Sequence, residues 1–177
     1  EHYAVDDVAP ALAKLVDRDV VAEAVLLSTC NRVEVMVCAP RLDVARLRLR
    51  SFFERDLARD SAGDFGVGLG DALYELHGHE AVQHVFRVAA SIDSMVVGEP
   101  QILGQVKDAF RAAVEAGACG SILSRLFQNA FGAAKRVRAE TRIAERPVSV
   151  ARVAADLAAE IFESLAEKSA LLVGAGE

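Results

Sequence analysis

Val25-Leu26-Leu27-Ser28-Thr29-Cys30-Asn31-Arg32-Val33-Glu34-Val35-Met36-Val37 reads as two short extended segments joined by a polar turn. The first is an apolar run, and in the second Val33, Val35 and Val37 alternate with the period of a strand. A small, mainly antiparallel sheet is expected here. The turn sets a hydroxyl, a thiol, an amide and a guanidinium side by side. Thiolate is the nucleophilic form of cysteine, and a nearby cation such as Arg32 lowers the thiol pKa. If the chain stays extended, Cys30, Arg32 and Glu34 point to one side. The competing reading is that Cys30 is a small buried hydrophobe after a strand.

Working outward, helices are expected at Val8 to Val20 and at Leu42 to Leu57, with Leu42, Ala45, Leu49, Phe52, Phe53 and Leu57 near one stripe. Asp60 to Gly68 is a glycine-rich loop with no basic residue, which fits a surface connection better than a phosphate cradle. Leu73 to Leu76 is a candidate strand. His79 to Ala90 reads as a helix with Val82, Val85, Phe86 and Ala89 inward.

The polar stretch Ser91 to Gln105 then leads into a helix, with Pro100 suited to its first position because a missing N–H costs nothing there. Gln101 and Gln105 share a polar face, and Ile102, Val106, Ala109, Phe110 and Ala113 cover the other. The two amides fit a hydrogen-bonding surface or ordinary solvated positions equally well. Leu123, Leu126, Phe127, Ala130, Phe131, Ala134 and Val137 keep helical spacing, which speaks of packing only. Arg146-Pro147 ends this region, a further helix spans Ser149 to Lys168, and Ala170 to Glu177 is a buried-type strand running into Gly174-Ala175-Gly176. That is the opening of a dinucleotide-binding turn without its third glycine or following helix.

With 177 residues, 53% of them hydrophobic and 26% charged, the composition is that of a globular protein. No apolar run approaches the roughly 18 residues needed to cross a bilayer. The first residues carry neither a basic leader nor an apolar core, so a signal peptide is expected to be absent or already removed. Three cysteines suggest a reducing compartment, with the cytoplasm as default. The net charge of −6 does not favour a nucleic-acid binder overall. Locally, Lys135, Arg136, Arg138, Arg142 and Arg146 outnumber Glu140 and Glu145, which reads first as a solvated helix face and second as a contact for a polyanion.

The Ser28 to Glu34 run and the Asp93 to Ile102 stretch with Gln105 together resemble the signature motifs of the glutamyl-tRNA reductase family, the enzymes that open tetrapyrrole synthesis from glutamate. Lys135 to Thr141 and Val148 to Val150 also resemble family segments. The resemblance implies an α+β catalytic domain over residues 1–146, a two-layer arrangement of sheet and helices. Residues 147–177 would be a linking helix and the first strand and glycine turn of a Rossmann-type, NADPH-binding domain. It implies Cys30 as nucleophile, His84 as a second catalytic residue, and Thr29, Asn31, Arg32, Ser94, Glu99, Pro100, Gln101 and Gln105 as substrate contacts. Gly174, Ala175, Gly176 and Glu177 would begin the cofactor site. The chain departs from the family pattern at Met36, where an aromatic residue is common, and at Ser91-Ile92, in place of Gly-Leu.

By the same resemblance the substrate is glutamyl-tRNA, the cofactor NADPH and the product glutamate-1-semialdehyde, formed through a cysteine thioester. The whole enzyme is expected to be a homodimer paired through a C-terminal domain, to work beside an aminomutase, and to have no membrane association. This chain, as a portion of it, is expected to lack reductase activity by itself. Two other classes stay open: a cofactor-free thiol hydrolase using Cys30 and His84, and a non-catalytic RNA- or partner-binding module using the basic stretch. No metal is expected, because His77, His79, His84 and Cys30 have no familiar zinc-ligand spacing.

Overall fold

The computed structural model describes residues 8–29, 31–58, 73–94, 96–144, 150–162, 164–166, 168–169 and 171. Among the expectations above, Cys30, the loop from Asp60 to Gly68, the Arg146-Pro147 boundary and the Gly174 to Glu177 turn lie outside the described residues. The elements are α1 (Val8–Leu15), β1 (Glu23–Ser28), β2 (Val33–Cys38), α2 (Leu42–Ala58), α3 (Gly78–Ala89), α4 (Gln101–Glu115), α5 (Ser121–Glu140), a 3-10 turn (Arg142–Ala144) and α6 (Val150–Ile161). The fold is α+β, with a two-stranded antiparallel sheet packed among helices.

Strands β1 and β2 pair from Glu23↔Cys38 to Ser28↔Val33, with Thr29 and Arg32 flanking the strand ends. Residues Glu23 to Leu27 are all buried, which explains why this strand reads as a continuous apolar run rather than an alternation. Its other edge is also engaged: the Ala24 amide donates to the Ala118 carbonyl in the α4–α5 connection, at 2.9 Å. Helices α1, α4 and α5 pack on β1. Buried Glu23 breaks the apolar pattern for a reason. Its two carboxylate oxygens accept the amides of Ile122, at 3.1 Å, and Leu123, at 2.7 Å, at the start of α5. A helix start leaves its first amides unpaired, and Gly120 at the cap position has no side chain to serve them.

Helix α1 stops at Leu15 rather than continuing to Val20. Asp17 is responsible: its Oδ1 accepts the amides of Asp19, Val20 and Val21 at 2.8–3.1 Å, a side-chain alternative to the helical ladder. In α2, Ala45 and Phe52 are buried, whereas Leu42, expected in the stripe, is 54% exposed at the first turn. The Leu57 side chain lies outside the described residues. In α3 the inward face is Val85, Val88 and Ala89, and Val82, expected inward one turn earlier, is exposed. Helices α4 and α5 follow their expected stripes, with Ile102, Val106, Ala113, Leu123, Phe127, Ala130 and Ala134 buried. Phe110 stacks on Phe127 with ring centroids 5.5 Å apart.

The segment from Leu73 to Leu76 is not a strand. It has no ladder partner among the described residues, and its two polar side chains are engaged elsewhere: Tyr74 with Glu34 and His84, and Glu75 with Arg46 and Arg50 of α2. Helix α6 ends at Ile161, short of the expected Lys168. The strand expected from Ala170 onward lies outside the described residues apart from Leu171.

The loop after α3 is tightly tied. Ser91 is fully buried at φ 61°, an unusual conformation for a residue with a side chain. Its carbonyl accepts the Gly98 amide at 2.9 Å, and its hydroxyl donates to the Glu99 carbonyl at 2.8 Å. Gly98 is required by both conformation and space: φ is +88°, and a Cβ there would lie 2.2 Å from the Ile143 carbonyl oxygen. Arg138 reaches into the same loop, with Nη2 donating to Ser91 Oγ at 3.0 Å and to the Glu99 carbonyl at 2.8 Å. The basic stretch is therefore not uniformly a solvated face. Arg136 pairs with Glu140 on the surface, but Arg138 is a brace.

Candidate functional site

The hairpin connection is closed by Thr29. Its amide donates to the Arg32 carbonyl at 2.9 Å, and its Oγ1 accepts the amides of Asn31 and Arg32 at 3.2 and 3.1 Å. A Thr hydroxyl capping the amides two and three residues on is a local turn-forming device. The backbone therefore turns between Thr29 and Arg32 instead of staying extended. Arg32 and Glu34 nevertheless come to one side, as the alternation suggested, with Arg32 Nη1 3.0 Å from Glu34 Oε1. The two side chains are 19% and 9% exposed.

Four elements deliver their side chains to this place. From α3, His84 sets Nε2 at 3.0 Å from each Glu34 oxygen. From the segment before α3, Tyr74 donates its hydroxyl to Glu34 Oε1 at 2.8 Å and lies 3.4 Å from His84 Nε2. The Tyr74 and His84 rings meet edge to face with centroids 5.8 Å apart. From the loop after α3, Asp93 accepts Arg32 Nη2 on its carbonyl and approaches Arg32 Nη1 with Oδ2 at 3.4 Å. His84 Nδ1 is 3.8 Å from the same Asp93 oxygen, and Arg87, one turn beyond His84, is 3.6 Å from the other.

Glu34 is the hub. Three donors converge on one nearly buried carboxylate, which is how a buried charge is made tolerable. Desolvation, together with the hydrogen bond to Glu34, pushes the Tyr74 phenol well above the usual tyrosine range, so it remains a donor at any working pH. Two guanidiniums and two carboxylates surround the His84 imidazole. That combination suits proton transfer beside a recognised anion.

Of the expected site residues, Arg32 and His84 are brought together, and Thr29 and Asn31 form the turn beside them. Ser94 follows Asp93 in the same loop. The Glu99 carbonyl is instead held by Arg138 and Ser91 within the loop. Pro100 caps α4 rather than opening it, and exposed Gln101 and half-buried Gln105 make no hydrogen bond to the cluster among the described residues. Cys30 and the Gly174 to Glu177 turn lie outside the described residues. Sequence reasoning did not single out Tyr74, Asp93 or Arg87 as site residues. Asp93 lies inside the second quoted motif, and Glu34 two residues after Arg32, but no local signal marks Tyr74. The thiols of Cys38 and Cys119 are half-buried and pushed up, in both cases chiefly by desolvation.

Residues 1–141 match the family model for the glutamyl-tRNAGlu reductase N-terminal domain. Among curated proteins, the glutamyl-tRNA reductase of Trichlorobacter lovleyi is 48% identical over 94% of this chain and 37% of its own length. That of Magnetococcus marinus is 47% identical over 99% of this chain and 40% of its own. Among solved structures, glutamyl-tRNA reductase from Methanopyrus kandleri aligns over 99% of this chain and 41% of its own, with a TM-score of 0.58 and 35% identity. The chain thus spans about two fifths of the length of the relatives it matches.

Proposed function

The chain belongs to the glutamyl-tRNA reductase N-terminal domain family, and from that premise we propose that it is the acyl-accepting portion of an enzyme that reduces glutamyl-tRNA to glutamate-1-semialdehyde for tetrapyrrole synthesis. One observation carries the chemistry: an acid–base histidine, an anion-binding arginine and two carboxylates converge beside the turn whose sequence includes Cys30.

The Cys30 thiolate attacks the ester carbonyl joining glutamate to the tRNA ribose. A carbon–sulfur bond forms, the carbon–oxygen bond to the ribose breaks, and the departing oxygen takes a proton that His84 has received from the thiol. Arg32 holds the side-chain carboxylate of the glutamyl group. Its planar fork suits a two-point contact, and the carboxylate it now faces at longest range, the 36% exposed group of Asp93 at 3.4 Å, is the one a substrate would displace. Thr29 and Asn31 shape the turn, and Ser94, Glu99, Pro100, Gln101 and Gln105 line the approach of the aminoacyl end.

A nicotinamide held by the portion of the enzyme that begins near Gly174, Ala175, Gly176 and Glu177 would supply the hydride that converts the thioester to the aldehyde. The complete enzyme works in the cytoplasm as a homodimer, and an aminomutase consumes its product. Among the described residues no helix is long and apolar enough to cross a membrane.

The test is product analysis with full-length enzyme. Glutamyl-tRNA with NADPH is expected to give aldehyde, and without NADPH a stalled thioester. Free glutamate formed at the same rate with or without cofactor would instead identify a thiol hydrolase. Binding of the tRNA with no chemistry would identify an RNA-binding module.

A further inference from the structure

His84 has two ring nitrogens in different surroundings. Nε2 faces both oxygens of Glu34 at 3.0 Å, whereas Nδ1 makes no hydrogen bond among the described residues and has Asp93 Oδ2 at 3.8 Å. A neutral imidazole carries one proton, and an acceptor-only carboxylate selects the nitrogen that keeps it. The carboxylate can do so only if it is itself fixed. Glu34 is fixed by Arg32 and by Tyr74, which donate to the same oxygen, Oε1, at 3.0 and 2.8 Å. Tyr74 is in turn held by its own segment, because the next residue, Glu75, is clamped to α2 by Arg46 and Arg50 at 2.5 and 3.1 Å.

We propose that Tyr74 is a positioning residue, which by holding the Glu34 carboxylate keeps the neutral His84 ring protonated on Nε2 and presents Nδ1 as the nitrogen that exchanges a proton with the reacting groups. The inference rests on the reading of His84 as the acid–base residue, but the protonation pattern exists without substrate. Tyr74 touches no reacting atom. Its phenol is a donor that cannot be replaced by the ring alone, although the edge-to-face contact with His84 would survive its removal.

The experiment labels the histidines with 15N and records long-range nitrogen–proton correlations in the free protein, assigning His84 by its loss in His84→Asn. In the native protein the neutral His84 is expected as the Nε2–H tautomer. In Tyr74→Phe the Nδ1–H tautomer is expected to become populated, and the rate constant of glutamyl transfer at saturating substrate to fall by roughly tenfold to a hundredfold, the range carried by a hydrogen bond to a charged group, with KM unchanged. An Nδ1–H tautomer in the native protein overturns the proposal, and this outcome does not depend on the variant folding. So does Tyr74→Phe with native tautomer populations, whatever its rate. A native Nε2–H tautomer in a protein that accepts no glutamyl group would leave the tautomer assignment standing and sink the proposed function instead.

Discussion

Charged side chains are wired in two different ways in this fold. In the first, Arg32, Glu34, Tyr74, His84 and Asp93 bond mainly side chain to side chain, across four separate elements. In the second, charged groups bond the backbone: Arg138 holds the Glu99 carbonyl, and Glu23, at the other end of the same helix, holds the Ile122 and Leu123 amides. A side-chain bond to backbone is lost only when the fold gives way. Contacts between side chains can be exchanged for a ligand without moving the chain. The first arrangement is suited to chemistry and the second to holding the first in place.

Breaking a member of each cluster should therefore separate activity from stability. The largest effect is expected from His84→Asn. Glutamyl transfer, followed by rapid quench, should slow by about 10²–10⁴, the usual contribution of a general acid–base group, while the thermal midpoint barely moves. Glu23→Ala should do the reverse. Losing a charged acceptor for two helix-start amides, that of Leu123 buried, should cost roughly 2–4 kcal/mol in urea unfolding, with transfer per folded molecule unaltered. A transfer rate that fell in proportion to stability would erase the distinction between the clusters.

Arg138→Ala should be milder, about 1–3 kcal/mol, since Ser91 Oγ still bonds the Glu99 carbonyl when the guanidinium is gone. Hydrogen exchange at the Gly98 amide, which closes the loop onto Ser91, is the sensitive readout and should accelerate. Arg32→Lys sharpens the comparison within the first cluster. An ammonium cannot span Glu34 and Asp93 as the fork does, so competition between glutamyl- and glutaminyl-tRNA should show a preference reduced by about tenfold. An unchanged preference would move carboxylate recognition elsewhere.

The smallest effect concerns acid. Backbone hydrogen bonds, that from Val20 foremost, hold the Asp17 carboxyl below its ordinary value. A group depressed in the folded state contributes stability above its unfolded pKa and loses it as the pH falls through the folded one. Asp17→Ala should therefore flatten the acid limb of the stability curve below about pH 4, and an unchanged limb would show that the α1 stop signal is energetically silent.

The helices α4 and α5 were legible because their apolar stripes face a single core, and a period of 3.6 survives any detail of packing. Arg32 beside Glu34 was legible from strand alternation alone. Tyr74 was not, because its partners are forty and ten residues away and an extended segment looks the same in sequence whether or not it finds a ladder partner. Arg138 is indistinguishable from its neighbours in sequence, because a run of cations carries no sign of which one turns inward. The stop after Leu15 was missed for a related reason. Asp17 can cap a turn or sit on a helix, and only the three amides that converge on it decide. Ser91 shows the limit from the other side: a residue with a side chain holds a left-handed conformation because its hydroxyl and carbonyl both close the loop.

If the first cluster serves acyl transfer to Cys30, the position of the acyl group shows it directly. The protein is exposed briefly to glutamyl-tRNA, quenched in acid and mapped by peptide mass spectrometry. A glutamyl group is expected on the peptide containing Cys30, labile to hydroxylamine as a thioester is. It should be absent from Cys30→Ser and undiminished in Cys38→Ser and Cys119→Ser, whose thiols are pushed up by burial and are poor nucleophiles. A glutamyl group on another residue, or one that persists at native rate in Cys30→Ser, would contradict it.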